Sequence, residues 1–162
     1  MRPTSLARGA RLLVVGSALV TLSAFPVAAQ AAGPQEQLWD AAMQGDTAAL
    51  AAALQRGAAI DSLDMRRNPN GRRALNWAAW YDHSVAIRFL VARGATVNMA
   101  NRTGFTPLHH AAEHGSLDAA RVLLELGADR TWPNGMGQRP VDVARERGHP
   151  QVTALLDSVP SR

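Results

Sequence analysis

From residue 36 to residue 158, apolar positions occur in short runs, each closed by a glycine and followed by a polar stretch, and the spacing of these blocks recurs. Gly71, Gly104 and Gly137 are 33 residues apart, as are Gly94 and Gly127, and the pair Ala78-Ala79 returns as Ala111-Ala112, with Ala144 following Ala111 at the same interval. A further copy lies upstream at an offset of 37, from Ala42 to Ala79 and from Gly57 to Gly94, so four extra residues fall between Asp61 and Gly71. Self-similarity at this period marks a stacked-repeat architecture. Each block predicts two short antiparallel helices and an extended loop. Thr106 suits the N-cap of a first helix, with Pro107 at the first helical position, where its missing N–H costs nothing. Gly115 ends that helix in a left-handed conformation. Leu117, Val122, Leu123 and Leu124 supply the apolar side of the second helix, which Gly127 stops. Alanine pairs make thin helices that stack closely, and one such unit cannot bury a core without its neighbours.

The third copy, "GFTPLHHAAEHGSLDAARVLLELGAD", carries G-x-T-P-L-H-x-A-A-x-x-G followed by L-L-x-x-G-A-D. In these residues the chain resembles the ankyrin repeat family over about residues 36–158. The resemblance implies an all-α solenoid of about four helix-turn-helix units with β-hairpin-like loops, its repeats near 37–64, 68–100, 101–133 and 134–158, after a short linker at 32–36. The copies depart from the motif at the ends: Leu38-Trp39-Asp40 stands in place of T-P-L-H in the first, and Arg139-Pro140-Val141-Asp142 in the fourth. The second has Arg73-Ala74-Leu75-Asn76 there and replaces the helix-ending glycine with Asp82, a residue that tolerates left-handed backbone better than most.

Residues 1–31 read as a cleavable signal peptide. Arg2, Arg8 and Arg11 precede the apolar run "LLVVGSALVTLSAF", Pro26 closes it, and Ala29-Gln30-Ala31 fits an A-x-A cleavage site after Ala31. The run is shorter than the roughly 20 residues that span a bilayer. Arginine used to the exclusion of lysine, with abundant alanine, resembles GC-rich bacterial coding, so the expected destination is the periplasm or the medium, with no membrane association after cleavage.

Composition narrows the chemistry. The chain has no cysteine and no lysine, which removes thiolate and lysine-based catalysis. Of the 17 basic residues, all arginine, three belong to the leader, leaving 14 against 13 acids. A nearly neutral mature chain offers no basic face for nucleic acid. His110-Ala-Ala-Glu113-His114 spells H-x-x-E-H, the inverted zinc-protease motif, in which two histidines four apart on a helix bind metal and the glutamate acts as base. This zinc-dependent hydrolase is the competing reading. The repeat frame accounts for the same residues without it. The resemblance makes His109 the structural signature histidine, gives His110 the packing position of Trp77 and Val143, and leaves Glu113 and His114 on positions that vary freely. The expectation is therefore no enzyme, no cofactor and no metal.

Ankyrin arrays bind proteins through loop tips and the exposed ends of first helices. Carried over by position, the resemblance implies a partner-binding concave face containing Arg72, Trp80, Tyr81, Arg102, Phe105, Glu113, His114, Met136 and Arg147, on a monomeric chain that serves one partner protein. Small exported ankyrin proteins accompany an enzyme or neutralise a toxin. Trp39 and Trp77 are expected in the core. Asp61 and Asp64 read as turn formers. Residues 64–73, with Arg66, Arg67, Arg72 and Arg73, read as a solvated loop able to meet an acidic patch, where Arg66→Ala would change stability by less than about 0.5 kcal/mol.

Overall fold

The computed structural model describes residues 32–158, so the leader and cleavage site read from residues 1–31 lie outside the described residues. Eight helices are described: α1 (Pro34–Gln44), α2 (Thr47–Gln55), α3 (Ala74–Trp80), α4 (Ser84–Ala92), α5 (Pro107–His114), α6 (Leu117–Glu125), α7 (Pro140–Glu146) and α8 (Pro150–Ser158). They pair as four hairpins. The odd-numbered helices stack on one another in chain order to form an inner row, and the even-numbered helices form an outer row. This is the all-α solenoid expected from the sequence. Helix α1 starts inside the stretch read as a linker, because Pro34 occupies the first turn and the Gln35 side chain exchanges hydrogen bonds with the backbone of Ala59 at 2.8 and 3.1 Å.

The core follows the repeat. Ala42, Ala78, Ala79, Ala111, Ala112 and Ala144 are fully buried along the inner row, where a single methyl group lets successive helices approach. Leu38, Leu75, Leu108 and Val141 occupy one position in the four copies, and Leu90, Leu123 and Leu156 another, so each copy contributes to one continuous apolar layer.

Hairpin-like loops are present only as a trace among the described residues, in one isolated antiparallel bridge between Asp64 and Arg72. A buried side chain holds each loop instead. Asp64, Asn101 and Asn134 recur at the repeat interval, are nearly or wholly inaccessible, and accept backbone N–H groups of their own loops. Asn101 and Asn134 each close a backbone hydrogen bond with the residue four positions on, Phe105 and Gln138, whereas Asp64 pairs with Arg72, eight on. The extra residues therefore lie beyond Asp64. Neighbouring loops join at their tips through Arg102 N–H to Asn70 C=O at 3.1 Å and Gly135 N–H to Thr103 C=O at 2.9 Å.

Candidate functional site

The inner helices end where the next repeat satisfies them. Last-turn carbonyls lack an intrahelical partner. Here Met43 C=O accepts from His83 Nε2 at 2.9 Å, Trp80 C=O from Ser116 Oγ at 2.9 Å, and Glu113 C=O from His149 Nε2 at 3.1 Å. Because a carbonyl only accepts, Nε2 carries the proton in both histidines. Asp82 is the one described non-glycine residue with positive φ, at 60°, and its carboxylate accepts the Ala119 N–H of the next repeat at 2.6 Å. It thus caps α6 from outside, a role that its left-handed tolerance alone did not disclose. His109 acts as the resemblance implied: Nδ1 accepts from Thr106 N–H and lies 2.9 Å from Thr106 Oγ1, while Nε2 donates to Gln138 C=O in the following loop at 3.0 Å.

The long loop departs from its expected freedom. Asp64 is fully buried and accepts from Arg66 Nε at 2.9 Å and from Trp77 Nε1 at 3.2 Å, and Arg66 reaches on to Asp40 at 2.8 Å. Burial by itself would raise the Asp64 carboxyl, but the hydrogen bonds and charge of Arg66 outweigh it and hold the group below its ordinary value. Arg73 donates to the carbonyls of Asp61 and Ala100 at 2.7 and 2.6 Å, and Asp61 accepts from Thr96 Oγ1 at 2.8 Å. Both aspartates therefore do more than form turns, and only Arg67 of the four arginines keeps the solvated character read from the sequence. Buried carboxylates need paired donors, and here they come from Arg66, two residues on, and from Trp77 of helix α3.

Arg72 packs against helix α3. Its guanidinium lies over two rings at once, 4.6 Å from the centroid of Trp77 and 4.1 Å from that of Trp80. The ring of His114 stands 4.8 Å from Trp80, Tyr81 is 6.1 Å from Trp77 and 6.4 Å from His114, and His110 is 6.0 Å from Trp80 and 5.6 Å from Phe105. Trp80 is half-buried by these neighbours, whereas Tyr81 is 43% exposed. Glu113 pairs with Arg147 at 3.0 Å, and Met136 is 70% exposed at a loop tip, in a cleft that Phe105 also lines. Of the nine residues expected on the concave face, Arg72, Trp80, Tyr81, Phe105, Glu113, His114 and Arg147 thus form one connected set through His110. Met136 flanks it, and Arg102 is exposed with its side chain in none of these contacts. Trp77 is buried as expected, and so is Trp39, whose Nε1 donates to Ser62 C=O at 3.1 Å.

His110, a packing position by register, is the residue whose importance sequence reasoning missed. It is 2% exposed, and neither ring nitrogen has a hydrogen-bond partner. Glu113 Oε2 lies 3.5 Å from Nδ1, too far for a sound hydrogen bond. Burial pushes the ring below its ordinary pKa, with Glu113 opposing, so His110 is neutral at pH 7. The H-x-x-E-H groups engage aromatic and arginine neighbours, and among the described residues no three His, Asp or Glu side chains converge as a metal site would require. Asn101, which opens Asn101-Arg102-Thr103, a sequence of the N-x-T glycosylation type, is buried, its amide oxygen accepting the Thr103 and Phe105 N–H groups at 3.0 and 2.9 Å.

Comparison with known proteins agrees with this geometry. The family model for ankyrin repeats (3 copies) matches residues 38–134 and 100–158. The E3 ubiquitin-protein ligase Ufd4 of Drosophila melanogaster is 36% identical over 125 residues, covering 75% of this chain and 4% of that protein. Protein phosphatase 1 regulatory subunit 27 of Mus musculus is 40% identical over 76 residues, 47% of this chain and 49% of the relative, and regulatory subunit 12A of Mus musculus is 38% identical over 83 residues, 51% of this chain and 8% of the relative. The chain thus spans half or far less of the length of these relatives. The periodic core, the trans-bonded helix ends and the family match lead to one assignment: this chain belongs to the ankyrin repeat family.

Proposed function

We propose that the chain is an exported, periplasmic, non-enzymatic protein that binds one partner protein through the concave face of its ankyrin stack. An ankyrin array is a protein-interaction module, and two of the relatives carry the name of phosphatase regulatory subunits. The observation that carries the reading is the connected row of Arg72, Trp80, Tyr81 and His114, drawn from two repeats and presented on one side. Tryptophan, tyrosine and arginine dominate the energetics of protein interfaces. The partner is an enzyme that the chain accompanies or a toxin that it neutralises, and the chain acts as a monomer without nucleic acid, metal or cofactor.

A capture experiment tests this with parent protein, Tyr81→Ala and Arg121→Ala, the last altering an exposed arginine of the outer helix α6. Each is immobilised, shown to be folded by circular dichroism, and exposed to periplasmic extract of the host. A partner held by parent and Arg121→Ala should be weakened about thirtyfold by Tyr81→Ala, the equivalent of losing about 2 kcal/mol. Retention by Tyr81→Ala together with loss by Arg121→Ala would move the interface to the outer face and end the concave-face proposal.

A further inference from the structure

Arg66, Arg88, Arg139, Arg145 and Arg147 each make an ion pair, and Arg72 makes none among the described residues. Yet Arg72 is half-buried, its guanidinium is held against two tryptophan rings, and its Nε is buried without an acceptor. Beside it stand the two unpartnered ring nitrogens of His110. Both side chains line a polar cavity of about 90 Å³, whose other walls include Asn68, Asn70, Thr103 and Glu113. That volume is far below the roughly 300 Å³ at which small-molecule sites begin, and suits the head group of a single side chain. Next to it, across a wall shared through Asn70, Thr103 and Phe105, lies a mainly apolar cleft of about 530 Å³ completed by Gly135 and Met136.

We propose that the polar cavity receives a carboxylate of the partner protein, an Asp or Glu side chain, while a nearby apolar side chain of the same segment occupies the cleft against Phe105 and Met136. This inference rests on the concave-face reading and names the chemistry that the face recognises. A desolvated cation with an unused N–H is completed by an anion that brings hydrogen-bond acceptors. The neutral His110 ring adds one N–H donor, satisfying a second buried group that otherwise lacks a partner. Glu113 limits the anion to a single charge. It lines the same cavity with its own carboxylate, which Arg147 holds 3.0 Å away, so a phosphate dianion would meet strong repulsion where a carboxylate meets less.

A displayed library of random linear peptides panned against the mature chain tests this, with affinities of synthetic versions read by fluorescence anisotropy. Enriched peptides should share an Asp or Glu close to an apolar residue. Exchanging that acid for its amide should weaken binding to the parent about tenfold and change binding to Arg72→Gln less than about twofold, as a double-mutant cycle requires for a direct pair. Amidating the peptide C-terminus should change nothing; a loss there would assign the carboxylate to a chain end and overturn the side-chain assignment. Phosphoserine in place of the acid should bind more weakly, and tighter binding would overturn the single-charge argument. Arg72→Lys, checked for folding beside Arg72→Gln, keeps the charge without the planar donors and should show an intermediate loss. Enrichment of no peptide, or of peptides indifferent to both the acid and Arg72, overturns the proposal. Peptides weakened by Tyr81→Ala but not by Arg72→Gln would defeat the carboxylate site alone; peptides indifferent to both substitutions would defeat the concave-face reading as well.

Discussion

At Gly115 two constraints coincide. The backbone is left-handed at φ 78°, and an added Cβ would come within 2.6 Å of the His149 ring that satisfies Glu113 C=O. Gly115→Val should therefore be destabilising by at least the roughly 1–3 kcal/mol of a residue forced into that region. Adding His149→Ala should recover the steric part and leave the backbone part, a separation that urea denaturation of the single and double variants would show. A neutral Gly115→Val would mean that the helix end is not built this way. Arg66 carries the opposite lesson. Read from the sequence it is a loop cation of no consequence, but in the fold it supplies donors to the fully buried Asp64. Its exposed contact with Asp40 adds at most about 1 kcal/mol, so the cost of Arg66→Ala resides in Asp64 and should total about 1–3 kcal/mol. A shift below about 0.5 kcal/mol would restore the free-loop description.

Helix α5 holds two histidines whose titration the fold shifts. It carries His109 and His110, and burial lowers the pKa of both rings below the ordinary value of 6.5, against opposing contributions from Gln138 C=O and Glu113 respectively. The unfolded chain therefore takes up protons near pH 6.5 that the folded chain refuses. The stability associated with these neutral rings is complete above about pH 6.5 and is lost progressively as the pH falls below it. The urea midpoint should drop between pH 7.5 and 5.5. Val143 occupies the position of His110 in the last repeat and is buried there, so His110→Val should flatten that pH dependence. It should do so without loss of stability at pH 7.5, since it replaces two buried, unpartnered nitrogens by an apolar group. An unchanged pH profile in His110→Val would assign the effect to other groups.

The four hairpins act as one body because each satisfies its neighbour's helix ends and loop bases, so none has a closed set of hydrogen bonds alone. Residues 32–158 contain no helix long and apolar enough to cross a membrane, and the export proposal rests on residues 1–31. Intact mass of protein recovered from the exporting host should show a chain beginning at Ala32, within a few residues. A product that retains Met1 in the membrane fraction would remove the periplasmic assignment and with it the choice of extract for the capture experiment.

The repeat interval, the helix ends at Gly115 and Asp82, the cap at Thr106 and the inward face of the alanine pairs were all legible in one dimension, because each depends on a backbone conformation or a spacing that a few adjacent residues impose. That residues of successive copies would meet on one side was legible as a register, since equivalent positions of stacked units line one face. Their state was not. That Asp82 caps a helix of the next repeat, that Arg66 bridges the buried Asp64 to Asp40, and that Arg72 lies unpaired against two tryptophans beside an unsatisfied His110 depend on distances between residues brought together from different repeats. Burial, charge pairing and hydrogen-bond satisfaction are properties of a neighbourhood in space, and only the stacking of one repeat on the next creates it.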